Sequence, residues 1–224
     1  MEIPDHAGVM ILGGCNLFPQ SLLPLFIFEP RYRTLLAEAL EGQRMFCIAM
    51  QKPDAKRESP CPIAGLGLIR ASVLNENGTS HLVLLGITRV RLGRLVQTKP
   101  YRQHLIEPVA APETESLAAD ALAERALDLV EQRLQMATHL PAALLHPLVP
   151  KAAVDGAVRV EDCMNALREI ECRGALADLI ASLLLSDGGA RQTILQSLDI
   201  EERLRHLNRF LTAEIVRAQK DPIE

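Results

Sequence analysis

The chain has 224 residues, a formal net charge of −4 and an apolar fraction of 48%, which is the composition of an ordinary globular protein. At this length folding buries a sizeable core without help from metals or disulfides. The odd number of cysteines, five, with no Cys-x-x-Cys pair, argues against a secreted disulfide framework and a structural zinc site, and favours a cytoplasmic location. No apolar stretch reaches the roughly 18 residues of a membrane helix, so we expect no membrane contact.

The first half of the chain is predicted to be mostly β-structure. Its short apolar runs are separated by Gly, Pro and Asn, as expected for strands joined by turns. Seven runs have this character: residues 9–12, 23–28, 45–50, 63–74, 81–87, 89–96 and 102–107. Asn77-Gly78 lies between the fourth and fifth runs, and this dipeptide readily supplies the positive φ angles of a tight hairpin. The pattern predicts a curled sheet that contains this hairpin.

One helix is predicted among these strands. Pro30 suits the first turn of a helix, Glu29 complements the positive end of the helix dipole, and Gly42 is a typical stop. The apolar side chains between these positions recur at the spacing of a single helical face, and they are Tyr32, Leu35, Leu36, Ala39 and Leu40. We therefore expect an amphipathic helix with one buried face.

The second half of the chain is predicted to be helical. Apolar residues from Ala123 to Ala137 recur at alternating spacings of four and three, which is typical of a long amphipathic helix. A proline-containing connector follows, and residues 161–171 and 175–185 predict two more helices. Asp199 begins a segment that resembles a capping box and opens a last helix. The apolar face of that helix comprises Ile200, Leu204, Leu207, Leu211 and Ile215.

The boundary between the two halves is predicted near residue 110. Residues 107–115 contain two prolines and few large apolar side chains, as linkers commonly do. The charge balance also changes here, because 12 Lys+Arg face 9 Asp+Glu up to Pro108 and 12 face 19 after it. We therefore expect an α+β fold with a β-rich subdomain at residues 1–110 and an α-helical bundle at residues 111–224.

The sequence contains no motif of a familiar enzyme class. A phosphate-binding P-loop needs Gly-Lys followed by Ser or Thr, and the chain has no Gly-Lys dipeptide. It also has neither a Gly-x-Ser-x-Gly elbow nor a His-Glu-x-x-His metal motif. A Ser–Lys dyad leaves no local signature, so an enzyme with an unrecognised site stays a third reading. The expectation is a protein without catalytic residues, metal or cofactor.

Three arginines of one run, Arg89, Arg91 and Arg94, raise RNA binding as an alternative function. Arg89 and Arg91 are expected on the same strand face, which is either a nucleic-acid surface or an ordinary solvated face. The isoelectric point near 5.9 and the scarcity of aromatic residues beside these arginines argue against RNA. RNA binding is therefore the second hypothesis.

Further segments occur in an order that carries a family resemblance. They are Leu17-Phe18-Pro19, residues 23–33 (LPLFIFEPRYR), Gly65-Leu66-Gly67, residues 86–92 (GITRVRL), residues 176–181 (LADLIA) and residues 198–204 (LDIEERL). Together they resemble the N-terminal, substrate-binding domain of the Lon ATP-dependent proteases, especially its stand-alone bacterial form. The resemblance implies a twisted, partly closed β-sheet, similar to PUA-like barrels, followed by a helical bundle.

The same resemblance implies a function. In Lon proteases this region helps to recognise unfolded or tagged substrates, whereas the ATPase module and the Ser–Lys peptidase domain of the full-length enzymes have no counterpart in these 224 residues. The resemblance therefore implies a non-catalytic polypeptide-recognition module. Its partners would be unfolded or tagged polypeptides, and it would serve a protease or a chaperone system as an adaptor or as a chaperone-like protein.

An aromatic cluster is the candidate peptide-binding site. Phe18, Phe26, Phe28 and Tyr32 are four of only seven aromatic residues, and they fall within a stretch of 15 residues. An exposed apolar surface, or an open sheet edge, accepts extended polypeptide, so we expect part of this cluster to line a groove where the sheet meets the first helix. Adjacent strand residues face opposite sides, so the alternative is that Phe26 or Phe28 anchors the core.

Overall fold

The computed structural model describes residues 2–55, 57–109, 116–136 and 159–220. The chain divides into two compact units, Met1–Ala110 and Ala111–Glu224. Six strands and one helix make up the described part of the first unit, and five helices make up that of the second. The predicted α+β fold is confirmed. The predicted proline-containing connector lies outside the described residues.

The first unit is a mixed sheet with one helix. Its strands are β1 (His6–Leu12), β2 (Leu22–Ile27), β3 (Met45–Met50), β4 (Ile63–Leu74), β5 (Ser80–Gln97) and β6 (Arg102–Pro108), and helix α1 spans Pro30–Glu41. The strand order is β2-β5-β4-β3-β1-β6, and β6 also pairs with β5. Five strands therefore close into a ring, whereas β2 lies outside it. β1 and β3 are parallel, and the other pairs are antiparallel.

Strand β5 differs from the sequence prediction. The two runs predicted at residues 81–87 and 89–96 form one strand of 18 residues, so the sheet has six strands rather than seven. The single polar residue between the runs, Thr88, is β-branched and compatible with extended backbone, so it does not end the strand. The first part of β5 pairs with β2 and the last part with β6. The predicted hairpin between β4 and β5 is confirmed, and Gly78 has a φ of 75°.

Strands β1 and β3 are buried on both faces. Alternate residues such as Val9 and Cys47 lie in one apolar cluster, and the intervening Met10 and Phe46 lie in a second cluster. The buried residues of α1, which include the predicted Tyr32, Leu35 and Leu36, complete the second cluster. Burial on both faces explains why these strands are continuous apolar runs in the sequence.

The segment before β2 lies directly against the sheet. A Cβ placed on Gly65 would be 2.0 Å from the carbonyl oxygen of Leu17, and one on Gly86 would be 1.9 Å from that of Phe18. Only glycine leaves room for this approach. The next contact is a hydrogen bond of 2.8 Å from the Gln20 N–H to the Gly86 carbonyl. The start of β2 is therefore fixed beside β5.

The described part of the second unit consists of α2 (Leu117–Gln135), α3 (Val160–Arg168), α4 (Arg173–Leu184), α5 (Gly188–Gln196) and α6 (Ile200–Lys220). The predicted apolar face of α6 is buried at all five positions. The apolar face of α2 is buried from Ala123 to Leu134, and Ala137 lies outside the described residues. The cap at Asp199 is confirmed, because its carboxylate accepts a hydrogen bond of 2.8 Å from the Glu202 N–H.

Helix α5 is absent from the sequence prediction. It begins with two glycines, which have low helix propensity. Asp187 caps it by accepting a hydrogen bond of 2.6 Å from the Ala190 N–H, and Ile194 and Leu195 are buried. Tertiary packing and the cap therefore outweigh the unfavourable local propensity.

A buried ion pair joins two helices of this unit. Arg203 in α6 lies 3.4 Å from Asp178 in α4, and both side chains are almost completely buried. Arg203 also donates a hydrogen bond of 2.8 Å to the carbonyl of Ser197. The pair accounts for the charged residue within the apolar run of α4, because a buried charge needs a partner.

We predict that Gly86→Ala lowers the free energy of unfolding by about 3 kcal/mol, because the added methyl group collides with the Phe18 carbonyl oxygen. Urea denaturation monitored by circular dichroism measures the change. Gly13→Ala is the matched control, since a Cβ there meets nothing within 4 Å, and we expect it to change stability by no more than about 0.5 kcal/mol. Equal stability of the two variants would contradict the close approach at Gly86.

Candidate functional site

Two residues of the predicted aromatic cluster belong to the core. Phe18 is 1% exposed and Tyr32 is 4% exposed. The Tyr32 hydroxyl accepts a hydrogen bond of 3.0 Å from the Ile11 N–H and donates one of 3.2 Å to the Ile11 carbonyl. Burial raises the pKa of Tyr32, and this outweighs the opposite effect of the hydrogen bond with Ile11. Both side chains are therefore buried and offer no area for a ligand.

The other two residues, Phe26 and Phe28, lie on the surface. They are 49% and 60% exposed, and their ring centroids are 5.9 Å apart in a stacked arrangement. The intervening Ile27 is buried in the core. Phe26 also lies 4.8 Å from the ring of His81. The strand therefore anchors itself through Ile27 and presents two phenylalanines on its opposite side.

The strand register extends this aromatic pair into a surface. Phe26 is opposite His81 in β5, and His81 is opposite Val73 in β4. One step further along the same face, Val83 is opposite Pro24 in β2 and Ala71 in β4. We call this surface the outer face, and its residues are Leu22, Pro24, Phe26, Phe28, Ala71, Val73, His81 and Val83.

The outer face contains a shallow groove of about 420 Å³ between β2 and β4. Val73 and Leu22 on this face are exposed at 63% and 46%. Apart from His81, no side chain of the outer face is ionisable. A contiguous, exposed and largely apolar face on a sheet is typical of a surface that binds another molecule.

Strand β2 is unusual because its apolar character exceeds what its own core contacts require. β3 is also apolar throughout, and from Phe46 to Met50 every residue is buried. In β2, by contrast, exposed and less exposed residues alternate. A strand with one solvated face normally alternates apolar and polar side chains. Packing in the core therefore does not account for the apolar outer positions of β2.

The charges at the start of α1, next to the outer face, are paired with one another. Arg31 lies 2.8 Å from Glu29 and 2.7 Å from Glu58, and its guanidinium group is 4.4 Å from the ring centroid of Tyr32. Arg102 also contacts Glu58, at 3.6 Å. This network lies partly exposed at the start of α1 and neutralises its own members, so the adjoining surface remains apolar.

The arginine strand does not form the solvated face that the sequence suggested. Arg89 is only 4% exposed and lies opposite Gly65. Arg91 is exposed but lies opposite Glu107, so its charge has an acidic neighbour. Arg94 is also exposed, so only Arg89 of the three arginines is buried, and Arg89 and Arg91 do not form the pair of accessible side chains that the strand alternation predicted.

A second depression, of about 480 Å³, lies between the N-terminal segment, α1 and β6. Tyr101 in its wall donates a hydrogen bond to Glu38 and accepts one of 3.0 Å from Gln103. Burial and the Glu38 hydrogen bond raise the pKa of Tyr101. Its hydroxyl is therefore held as a neutral donor within an internal network.

The described ranges contain no candidate metal site, and the buried Cys47 is not a candidate reactive thiol. No group of three His, Cys, Asp or Glu side chains there has the geometry to hold a metal ion. Burial raises the pKa of Cys47 to about 12, so this thiol is protonated at neutral pH, and it packs as a small apolar residue. No helix among the described residues is long and apolar enough to span a bilayer.

A comparison with models of known protein families assigns the chain to a family. Residues 8–213 match the model of the ATP-dependent protease La (LON) substrate-binding domain. The chain belongs to the Lon substrate-binding domain family. This match covers both units, and it confirms the resemblance drawn from the sequence.

Full-length relatives are Lon proteases. The chain is 25% identical over 219 residues to the Lon protease of Desulfosudis oleivorans and 27% identical over 216 residues to that of Roseiflexus castenholzii. These alignments cover 96% and 95% of the chain but 24% and 25% of the relatives. The chain therefore spans about a quarter of the length of the curated relatives it matches.

Solved structures agree on the fold. The N-terminal domain of the Mycobacterium avium complex Lon protease superposes with a TM-score of 0.66 at 18% identity, covering 92% of this chain and 98% of that one. A Lon N-terminal domain protein from Xanthomonas campestris gives a TM-score of 0.59 at 18% identity, with the same coverage. The fold of the chain is thus similar to that of known Lon N-terminal domains.

Sequence reasoning missed the β4 and β5 side of the outer face. Ala71, Val73, His81 and Val83 line it, but none of them is Phe, Tyr or Trp, so they do not stand out in the sequence. Their signal was the Asn-Gly hairpin. Extending its register from Gly78 pairs Val73 with His81 and Ala71 with Val83, and thus places all four on one face.

We predict that Tyr32→Phe lowers the free energy of unfolding by about 2 kcal/mol, because it leaves the buried N–H and C=O of Ile11 without the hydroxyl. Thermal or urea unfolding measures the loss. Phe28→Ala serves as the comparison and should change stability by less than about 0.5 kcal/mol, since its ring is largely solvated. The opposite ranking would contradict the division of the aromatic cluster into core and surface.

Proposed function

We propose that the protein is a polypeptide-recognition module that binds unfolded or tagged chains through the outer face. The observation that carries this proposal is the stacked, exposed pair Phe26 and Phe28 on an apolar sheet face. Membership of a family named for substrate binding supports it. The function requires no catalytic residue, metal or cofactor.

The physical basis of recognition is burial of apolar area. Complete burial of a phenylalanine side chain contributes about 2 kcal/mol, and the two rings begin half-exposed. Neighbouring Pro24, Val73 and Val83 add apolar area without adding charges that would need partners. Such a face binds many unfolded sequences and rejects folded proteins, whose apolar side chains are already buried.

The proposed biological role is that of an adaptor for a protease or a chaperone-like protein. The relatives that the chain matches are Lon proteases, of which it spans about a quarter. A binding module of this kind would deliver or hold polypeptide without acting on it. We place this role in the cytoplasm, in keeping with five cysteines that no disulfide joins.

We predict that the double variant Phe26→Ala and Phe28→Ala binds a labelled, permanently unfolded polypeptide at least tenfold more weakly than the unaltered protein, because about 1.4 kcal/mol of apolar contact corresponds to tenfold in affinity. Fluorescence anisotropy measures the dissociation constants. Val96→Ala is the control, since Val96 is also 49% exposed but lies outside the outer face, and its affinity should match that of the unaltered protein.

Salt and RNA separate this function from its alternative. Binding through an apolar face changes little with ionic strength, whereas contacts with phosphates weaken steeply as salt increases. The same titration with a labelled RNA of similar length should show no binding. Absence of polypeptide binding, or binding to RNA that salt abolishes, would contradict the proposed function.

A further inference from the structure

We propose that the bound polypeptide adds to the free edge of β2 as a further β-strand. This inference rests on the proposed function and specifies how the outer face holds its ligand. Ligand side chains would lie beside Phe26 and Phe28, and the ligand backbone would pair with that of β2. The substrate class is therefore an extended segment with uncharged, apolar residues at alternate positions.

The topology leaves this edge open. Among the described strands β2 pairs with β5 alone, through residues Leu22 to Ile27. No described group on its other side makes a hydrogen bond with the backbone of these residues. Unpaired backbone groups at a strand edge are a template for pairing with another chain.

The ladder identifies which residues point outward. The Gly86 N–H donates a hydrogen bond of 2.9 Å to the Ser21 carbonyl, so the backbone of residue 21 is directed toward β5. In an antiparallel ladder alternate residues direct their N–H and C=O groups to opposite sides. Leu22, Pro24 and Phe26 therefore direct theirs to the open edge. The side chains of the same three residues lie on the outer face.

Pro24 modifies the edge without closing it. Proline has no N–H, so the edge offers donors at Leu22 and Phe26 and a carbonyl acceptor at all three positions. A proline at this place is compatible with an edge strand, because its nitrogen faces away from β5. It also weakens pairing between two copies of β2, a common protection of exposed edges. In a bound ligand strand, the carbonyl opposite Pro24 lacks an N–H donor from β2. This costs little if that carbonyl is hydrated instead.

Charge matching specifies the ligand. Apart from His81, none of the residues that define the outer face is ionisable, and Arg31, Glu29 and Glu58 beside it are paired with one another. A charged ligand side chain laid on this face would lose water and gain no partner. Segments that carry Lys, Arg, Asp or Glu at the positions whose side chains contact the outer face should therefore bind weakly or not at all.

Backbone-methylated peptides test the proposal directly. The probe is a fluorescein-labelled nine-residue peptide that alternates leucine with threonine. One derivative carries N-methyl groups on the leucine amides and another on the threonine amides, so the side chains are identical in all three. Strand addition predicts that one derivative binds about tenfold more weakly than the unmodified peptide and that the other retains its affinity, because only one set of amides faces β2.

The outcomes of this experiment are distinct. If methylation of the leucine amides lowers the affinity, the ligand strand adds antiparallel to β2. If methylation of the threonine amides lowers it, the ligand strand adds parallel to β2. Either result supports the proposal. Equal binding of all three peptides shows that side chains alone dock on the outer face, which overturns strand addition and leaves the proposed function intact. An equal loss of affinity for both methylated derivatives also overturns strand addition, since pairing with the edge of β2 involves only one of the two sets of amides. If the unmodified peptide and unfolded polypeptides all fail to bind, the proposed function itself fails.

A pair of variants of the protein tests the same backbone pairing by changing β2 instead of the peptide. Phe26→Ala removes the ring and keeps the outward N–H, whereas Phe26→Pro removes both. Strand addition predicts that Phe26→Pro binds the unmodified peptide about fivefold more weakly than Phe26→Ala, and equal affinities would overturn it. Circular dichroism first establishes that both variants fold, and the methylated peptides decide the matter if the proline variant does not.

A second copy of the chain is the competing occupant of the edge. Sedimentation velocity with and without the peptide distinguishes the two. A protein whose association state is unchanged by saturating peptide agrees with the proposal. A dimer that the peptide dissociates, and that Phe26→Pro abolishes, would show that β2 pairs with its own copy and would overturn it.

Discussion

The position of β2 depends on the contact between the backbone of Leu17 and Phe18 and the glycines of the neighbouring strands. Side chains at Gly65 or Gly86 would push this segment off the sheet, because a Cβ would lie about 2 Å from a carbonyl oxygen. With the segment in place, the backbone of Gly86 pairs with residues 20 and 21, and β2 continues along β5 as an outer strand. The ring of five strands therefore does not need β2 for closure, and β2 is left to present a surface.

Strand β2 combines anchoring and exposure in one short sequence. Ile27 enters the core, and Leu23 and Leu25 pack against it, while the alternate positions carry apolar side chains into solvent. Folding alone would favour polar residues at those positions, since exposed apolar area gains nothing until it is buried. β3 differs from β2, because β3 is apolar where both of its faces are buried, whereas β2 is apolar on a face that core packing does not cover. Paired charges around Arg31 border this surface and keep it neutral.

Most of the fold could be predicted because the spacing of apolar residues within each helix or strand, and the residues of caps and turns, are local features of the sequence. The faces of α1 and α6, the cap at Asp199 and the Asn-Gly hairpin all follow from spacing and from turn chemistry. The failures arise where distant residues decide. Helix α5 depends on tertiary burial of Ile194 and Leu195, Arg89 is buried although its sequence context is that of a solvated strand, and the two predicted runs of β5 merge because different partners pair with its two ends. The aromatic cluster divides for the same reason: the sequence places Tyr32 and Phe28 close together, but only the packing shows that one ring faces Ile11 and the other faces solvent.

The central claim is that polypeptide binds on the outer face of β2, β5 and β4. The most direct measurement is a backbone amide NMR titration of the isotopically labelled full chain with an unfolded polypeptide. The account predicts that shift changes concentrate in residues 22–28, 71–73 and 81–83, on three strands that are neighbours only in the folded sheet. Shift changes concentrated around Tyr101 and Glu38, or in the helices of the second unit, would contradict it.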